Sequence, residues 1–228
     1  MKTKRWIRIL LGLVLILALA GCGANSQVQN EKKNEFEALP QTDTAETETV
    51  ETEAADPEEK TTGDSKTLVV YFSYTGHLDS MAHWIADESG ADLVRVTAKE
   101  AYPEDYDETV DRAKKEQNED ARPEIDIDLT DEQMAEYDTV FFGFPVWWYD
   151  IPMPMYTFLD TYDLSGKTII PFLSHEGSSN GANARETIEE HAAGAMVRFD
   201  DALSIRGGEV DSSEQAVRDW VDGLGFGK

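Results

Sequence analysis

From Thr67 onward, short runs of consecutive apolar residues alternate with segments whose apolar positions recur every three or four residues. The first run, Thr67-Leu68-Val69-Val70-Tyr71-Phe72, has no polar face. That is the pattern of a parallel strand covered on both sides. Leu78, Met81, Ala82 and Ile85 follow at helical spacing, and Gly90 is placed to stop that helix. Asp92 to Thr97 predicts a second strand; Tyr106 to Gln117 is polar and helix-prone, with a role the pattern does not reveal. Asp138 to Gly143 predicts a third strand, with Pro152 or Pro154 opening a helix that reaches Leu159 and Tyr162. Lys167 to Leu173 predicts a fourth strand and Asn180 to His191 a helix. Ala195 to Ile205 holds a short fifth strand, and Ser212 or Ser213 caps a last helix with Val217, Trp220 and Val221. The alternation predicts an α/β domain over residues 66–228, with a parallel sheet between helices on both faces.

The first 65 residues have a different character. Lys2, Lys4, Arg5 and Arg8 precede an apolar stretch from Ile9 to Ala20. It is shorter than the roughly 20 residues that span a bilayer, so residues 1–22 read as a removable export signal. The stretch ends Leu19-Ala20-Gly21-Cys22, which resembles the lipobox of bacterial lipoproteins. The resemblance implies cleavage before Cys22, a lipid on its thiol, and a place on the extracytoplasmic face of the cytoplasmic membrane. Cys22 is the only cysteine, so no intramolecular disulfide can form. Residues 23–65 are rich in Thr, Glu, Ala, Gln and Asp, with few large apolar residues. Such composition predicts a disordered acidic linker with a mean reach of roughly 40 Å.

The net charge is −26, which excludes nucleic acid and anionic headgroups as binding surfaces and suits a basic protein partner. The four histidines show no metal-ligand spacing, and no nucleophile elbow of a serine hydrolase is present. The first strand instead runs into Ser73-Tyr74-Thr75-Gly76-His77-Leu78-Asp79-Ser80 and a helix. A small polar loop at a helix N-terminus gathers free backbone N–H groups and hydroxyls, and so suits an anion without needing a cation. It is neither a Walker A loop nor a Gly-x-Gly-x-x-Gly fingerprint. Asp79 either repels a bound phosphate or simply stabilises an empty helix start. After the third strand, Pro145-Val146-Trp147-Trp148-Tyr149 sets three aromatics in a proline-flanked loop, suited to a planar ligand or to packing against helices.

Tyr71-Phe72-Ser73-Tyr74-Thr75-Gly76-His77 resembles the phosphate loop of the flavodoxin superfamily, Ser/Thr-x-Thr/Ser-Gly-Asn-Thr. Gly143-Phe144-Pro145-Val146-Trp147-Trp148 and His175-Glu176-Gly177-Ser178 resemble the second and third loops of its bacterial flavodoxin-like members. The resemblance covers about 160 residues. It implies a doubly wound, three-layer fold with five parallel strands in the order 2-1-3-4-5, and FMN as cofactor. Carried over by position, Ser73, Thr75, Gly76, His77 and Ser80 surround the phosphate, with Leu78 where the family has threonine. Pro145, Val146, Trp147, Trp148 and Tyr149 line the flavin on one side, and Ser174, His175, Glu176, Gly177 and Ser178 on another. The third loop has no aromatic to cover the ring, which leaves a face open to a substrate. His175 is a candidate proton donor near the flavin, an orienting group, or a structural loop histidine. The function implied is electron transfer to a basic protein or to a small acceptor such as a quinone. A flavin-free binding module that kept the fold is the alternative, supported by Leu78 and Asp79.

Overall fold

The computed structural model describes residues 65–177 and 181–228. Cys22, the export signal and residues 23–64 of the linker lie outside the described residues, as does Ser178. Strands β1 (Thr67–Phe72), β2 (Asp92–Ala98), β4 (Thr139–Pro145) and β5 (Thr168–His175) form the parallel centre of one sheet. Its order is β3-β2-β1-β4-β5-β6, with β7 also paired to β5. Here β3 is Ile125–Asp126, β6 is Met196–Val197 and β7 is Leu203–Arg206.

Alternate residues of each central strand enter opposite layers, which is why the apolar runs are unbroken. Leu68, Val70, Phe142, Phe144 and Ile169 pack with Met155, Phe158 and Leu159 of α4 (Met153–Thr161) and Ile188 of α5 (Ala184–His191). Val69, Tyr71, Phe141, Ile170 and Phe172 pack with Leu78, Met81, Ala82 and Ile85 of α1 (His77–Ser89). Val217 and Val221 of α6 (Glu214–Gly223) complete that second layer. Gly90 ends α1 in the left-handed conformation (φ 72°), as the pattern predicts. The result is a three-layer, doubly wound α/β domain.

Several expectations are corrected. The sheet has more than five strands: β3 adds a two-residue antiparallel edge to β2. The fifth strand is split, because the polar segment 198–202 turns through Phe199–Asp201 instead of pairing. β6 thus meets β5 at Thr168–Ile169, and β7 meets it at Phe172–His175. Helix α5 begins at Ala184, after the left-handed Gly181 (φ 66°) and an Asn183 whose N–H goes to the Tyr149 carbonyl at 2.9 Å, while Asn180, the expected start, lies outside the described residues. Ser213 stands at the N-cap of α6 without capping; its hydroxyl donates to the Glu209 carbonyl. Helix α3 (Asp131–Ala135), closed by a Thr130–Gln133 capping box, was not anticipated, whereas α2 (Tyr106–Asn118) is regular. No helix among the described residues is long and apolar enough to cross a membrane.

The β4–β5 contact is tight at Gly143, where an added Cβ would lie 2.2 Å from the Phe172 ring. Gly143→Ala should therefore destabilise by about 1–3 kcal/mol through overpacking. In urea denaturation, Gly143→Ala combined with Phe172→Leu should cost less than the sum of the single changes. Strict additivity would refute the clash.

Candidate functional site

β1 and β4 are in-register neighbours, but α1 and α4 leave them on opposite faces of the sheet. The loops that follow diverge and open a crevice at the carboxyl edge, the place where such sheets bind ligands. A cleft of about 590 Å³ lies there. It brings together Thr75 and His77 from the first loop, Pro145–Tyr149 from the second, and Ser174, His175 and Glu176 from the third. Ser73, Gly76, Leu78, Ser80 and Gly177, also expected in the site, are not among its lining residues.

Their positions have local causes. The Ser73 hydroxyl is buried and accepts the Gly76 N–H at 3.1 Å, so it closes the loop on itself. Gly76 is left-handed (φ 97°), a conformation glycine adopts without steric cost, and the space beside it is open. No side chain among the described residues caps α1, so the N–H groups of its first turn have no capping acceptor there. The Thr75 hydroxyl lies 3.2 Å from His77 Nδ1 at the cleft. Leu78 turns its side chain into the core, and Ser80 sits part-buried in α1.

Arg95 of β2 was not foreseen, since nothing in one strand reveals its neighbour. Its guanidinium lies 3.0 Å from an Asp79 carboxylate oxygen and donates to the Ser73 carbonyl at 3.0 Å. The Tyr71 hydroxyl donates to the same carboxylate at 2.8 Å. The negative charge in the first turn of α1 is thus paired from β1 and β2. Burial, followed by that carboxylate, pushes the Tyr71 pKa up.

The second loop is a two-residue hairpin. Trp147 and Asp150 exchange both backbone hydrogen bonds (2.9 and 3.0 Å), and Trp148 and Tyr149 between them have φ of 45° and 73°. Positive φ at both central positions is the mark of a type I′ turn, normally made by Asn-Gly or Gly-Gly. For bulky residues it costs on the order of 1–2 kcal/mol each. Trp147 packs edge-on against Phe72, Tyr74 and Tyr102, with centroids 5.6, 6.2 and 5.2 Å away. Lys114 holds its ammonium 5.1 Å from the Trp148 ring. Trp147, Trp148 and Tyr149 thus line the cleft, and Trp147 also packs against neighbouring aromatics.

The remaining wall is α2, through Tyr106, Thr109, Val110 and Ala113. Their three-and-four spacing in an otherwise charged helix was the available signal, hidden because Tyr106 and Ala113 flank so few apolar residues. His175 Nδ1 accepts the Gly177 N–H at 2.9 Å, so a neutral His175 carries its proton on Nε2. Gly207 follows β7 and leaves room for both His77 and Glu176; a Cβ there would lie 2.7 and 2.4 Å from their side chains. Among the described residues no group of His, Cys, Asp and Glu could hold a metal ion.

A family model described as flavodoxin matches residues 66–224. The chain belongs to the flavodoxin family. A candidate flavoprotein from Bacteroides uniformis is 29% identical over 69% of this chain and 98% of its own, with a TM-score of 0.59. A candidate flavoprotein from Bacteroides eggerthii is 28% identical over 71% and 99%, at a TM-score of 0.57. A flavoprotein from Lactobacillus acidophilus, solved in complex with FMN, is 27% identical over 65% and 97%, at a TM-score of 0.52.

Behind the aromatic turn, the buried Asp150 carboxylate accepts from Tyr156 and Thr187, each at 3.0 Å, and from the Ile151 N–H at 2.8 Å. Burial, reinforced by Asp150, pushes the Tyr156 pKa up to about 12. An unfolded tyrosine titrates near 10. The folded state therefore keeps its proton longer, so this stabilisation is complete below pH 10 and is lost as pH rises through about 12. Urea midpoints should fall across that window, and less steeply in Tyr156→Phe; equal slopes would contradict the assignment.

Proposed function

We propose that this protein binds FMN at the cleft and transfers electrons through it, held on the extracytoplasmic face of a bacterial cytoplasmic membrane by a lipid on Cys22. The observation that carries the cofactor reading is the convergence of three separate loops on one cleft of about 590 Å³. That size is within the range of small-molecule sites. One end offers an uncapped helix start, an open left-handed glycine and the Thr75 hydroxyl, which is donor chemistry for a phosphate. The other end offers apolar and aromatic walls suited to a planar ring.

When bound, FMN supplies the redox chemistry. The chain's own part is to bind, orient and shield. Thr75, His77 and the first-turn N–H groups of α1 hold the phosphate, and Arg95 draws the Asp79 charge away from it. Pro145, Val146, Trp147 and Trp148 keep water from one side of the ring. His175, with its proton on Nε2, is the protic group of the third loop. The exposed Tyr106 and Tyr149 at the cleft, whose lining among the described residues includes no Lys or Arg, favour a neutral planar acceptor such as a quinone. The net charge of −26 suits a basic protein as a second kind of acceptor. Turnover that falls steeply with salt identifies the protein acceptor; salt-insensitive turnover identifies the quinone.

The full-length protein, purified in mild detergent, should show the visible absorption of a flavin or gain it with added FMN. A folded, colourless protein that ignores FMN would be a flavin-free binding module, and would overturn the proposal. Membrane attachment should be lost in Cys22→Ser; a variant that stays with the membrane fraction contradicts the lipid anchor.

The Arg95–Asp79 pair gives a finer test. Arg95→Ala should weaken FMN roughly tenfold by exposing the phosphate to an unpaired carboxylate. Adding Asp79→Asn should restore most of that loss, while riboflavin, which lacks the phosphate, should bind alike in all three proteins. Equal losses for riboflavin and FMN would place the effect elsewhere.

A further inference from the structure

We infer that Asp150 is a positioning residue of this site: its buried carboxylate locks the Trp147–Asp150 turn and thereby sets the aromatic wall against which the ring lies. The inference rests on the FMN reading above.

The turn needs an external restraint. Trp148 and Tyr149 adopt left-handed backbone, which a free chain of these residues would leave. Packing does not impose it, because Tyr149 is exposed and Trp148 is only half-buried. Hydrogen bonds impose it, and they converge on one side chain. One oxygen of Asp150 accepts from the Ile151 N–H at 2.8 Å, fixing the exit from the turn. The other accepts from Tyr156 of α4 and Thr187 of α5, each at 3.0 Å. The Asn183 N–H, just before α5, adds a bond to the Tyr149 carbonyl at 2.9 Å. Asp150 thus ties the turn to two helices that are themselves packed on the sheet.

The chemistry points to use beyond folding. A buried carboxylate is costly unless its lone pairs are filled. Among the described residues Asp150 forms no ion pair, and hydroxyl and N–H donors fill it instead. A turn needed only to connect β4 to α4 could use Asn-Gly, with neither strain nor a buried charge. Strain held in place by a dedicated anchor, on a loop that lines the cleft, is the arrangement expected where geometry serves a ligand.

The test compares FMN and riboflavin binding by the full-length protein, well below its unfolding temperature, using flavin and tryptophan fluorescence. Asp150→Ala should weaken both ligands by roughly tenfold or more, leaving their affinity ratio unchanged because the phosphate loop is untouched. Asp150→Asn keeps the acceptor toward Ile151, and the two hydroxyls can reverse to meet its amide. It should remain within about threefold of the wild type. If Asp150→Ala lowers the melting temperature but leaves both affinities unchanged, Asp150 is a structural residue and the inference fails. An Asp150→Asn variant as weak as Asp150→Ala also overturns it, since charge rather than hydrogen-bond geometry would be responsible. Should Asp150→Ala not fold, Tyr156→Phe with Thr187→Val, which strips both donors from the same oxygen, carries the same comparison. A wild type that binds neither flavin defeats the functional reading as well; a wild type that binds beside an unaffected variant defeats only this one.

Discussion

The site depends on one arrangement: β1 and β4 pair in register while the helices that follow them pack on opposite faces. The pairing brings the Ser73 loop and the Pro145 loop within one cleft. The divergence keeps either helix from filling it. Both conditions come from residues buried on both sides of each strand, Leu68 to Val70 and Val140 to Phe144. A polar substitution on either face would weaken the crevice by weakening the sheet beneath it.

Much of this was legible in the sequence. The central strands, the buried face of α1 and its Gly90 stop were readable because unbroken apolar runs and helical spacing are local signals. The three loops that line the cleft were readable by position, since each follows a strand. Three kinds of feature were not. Weak edges such as β3 and the β6–β7 break are decided by which backbone groups find partners. Pairs between elements, such as Arg95 of β2 with Asp79 of α1, depend on tertiary packing that neither element encodes alone. The turn at Trp148 and Tyr149 lacks the glycine or asparagine that normally announces positive φ, because its restraint comes from distant Tyr156 and Thr187. Leu78, which stands where the family has threonine, sends its side chain into the core.

Electrostatics in the cleft are organised against the overall charge. With a net charge of −26, a dianionic phosphate would be repelled by an unstructured distribution of the same residues. The fold counters this locally. Arg95 and Tyr71 occupy the nearest carboxylate, and backbone N–H groups supply donors that carry no counter-charge. Most arginines of the described domain are likewise paired to carboxylates; Arg206, beside Gly177 at the third loop, makes no such pair among the described residues.

The two ends of the cleft consequently differ in how they are held. At the end formed by Thr75, Gly76 and His77, glycine freedom and an uncapped helix give a loop with little strain to maintain. At the aromatic end, the backbone is forced, and a buried carboxylate with partners on two helices supplies the force. Affinity for an anion can therefore be conserved while the planar wall is altered, or the reverse. A fold that separates these two tasks can keep its cofactor while the wall, and with it the surroundings of the ring, is changed one turn at a time.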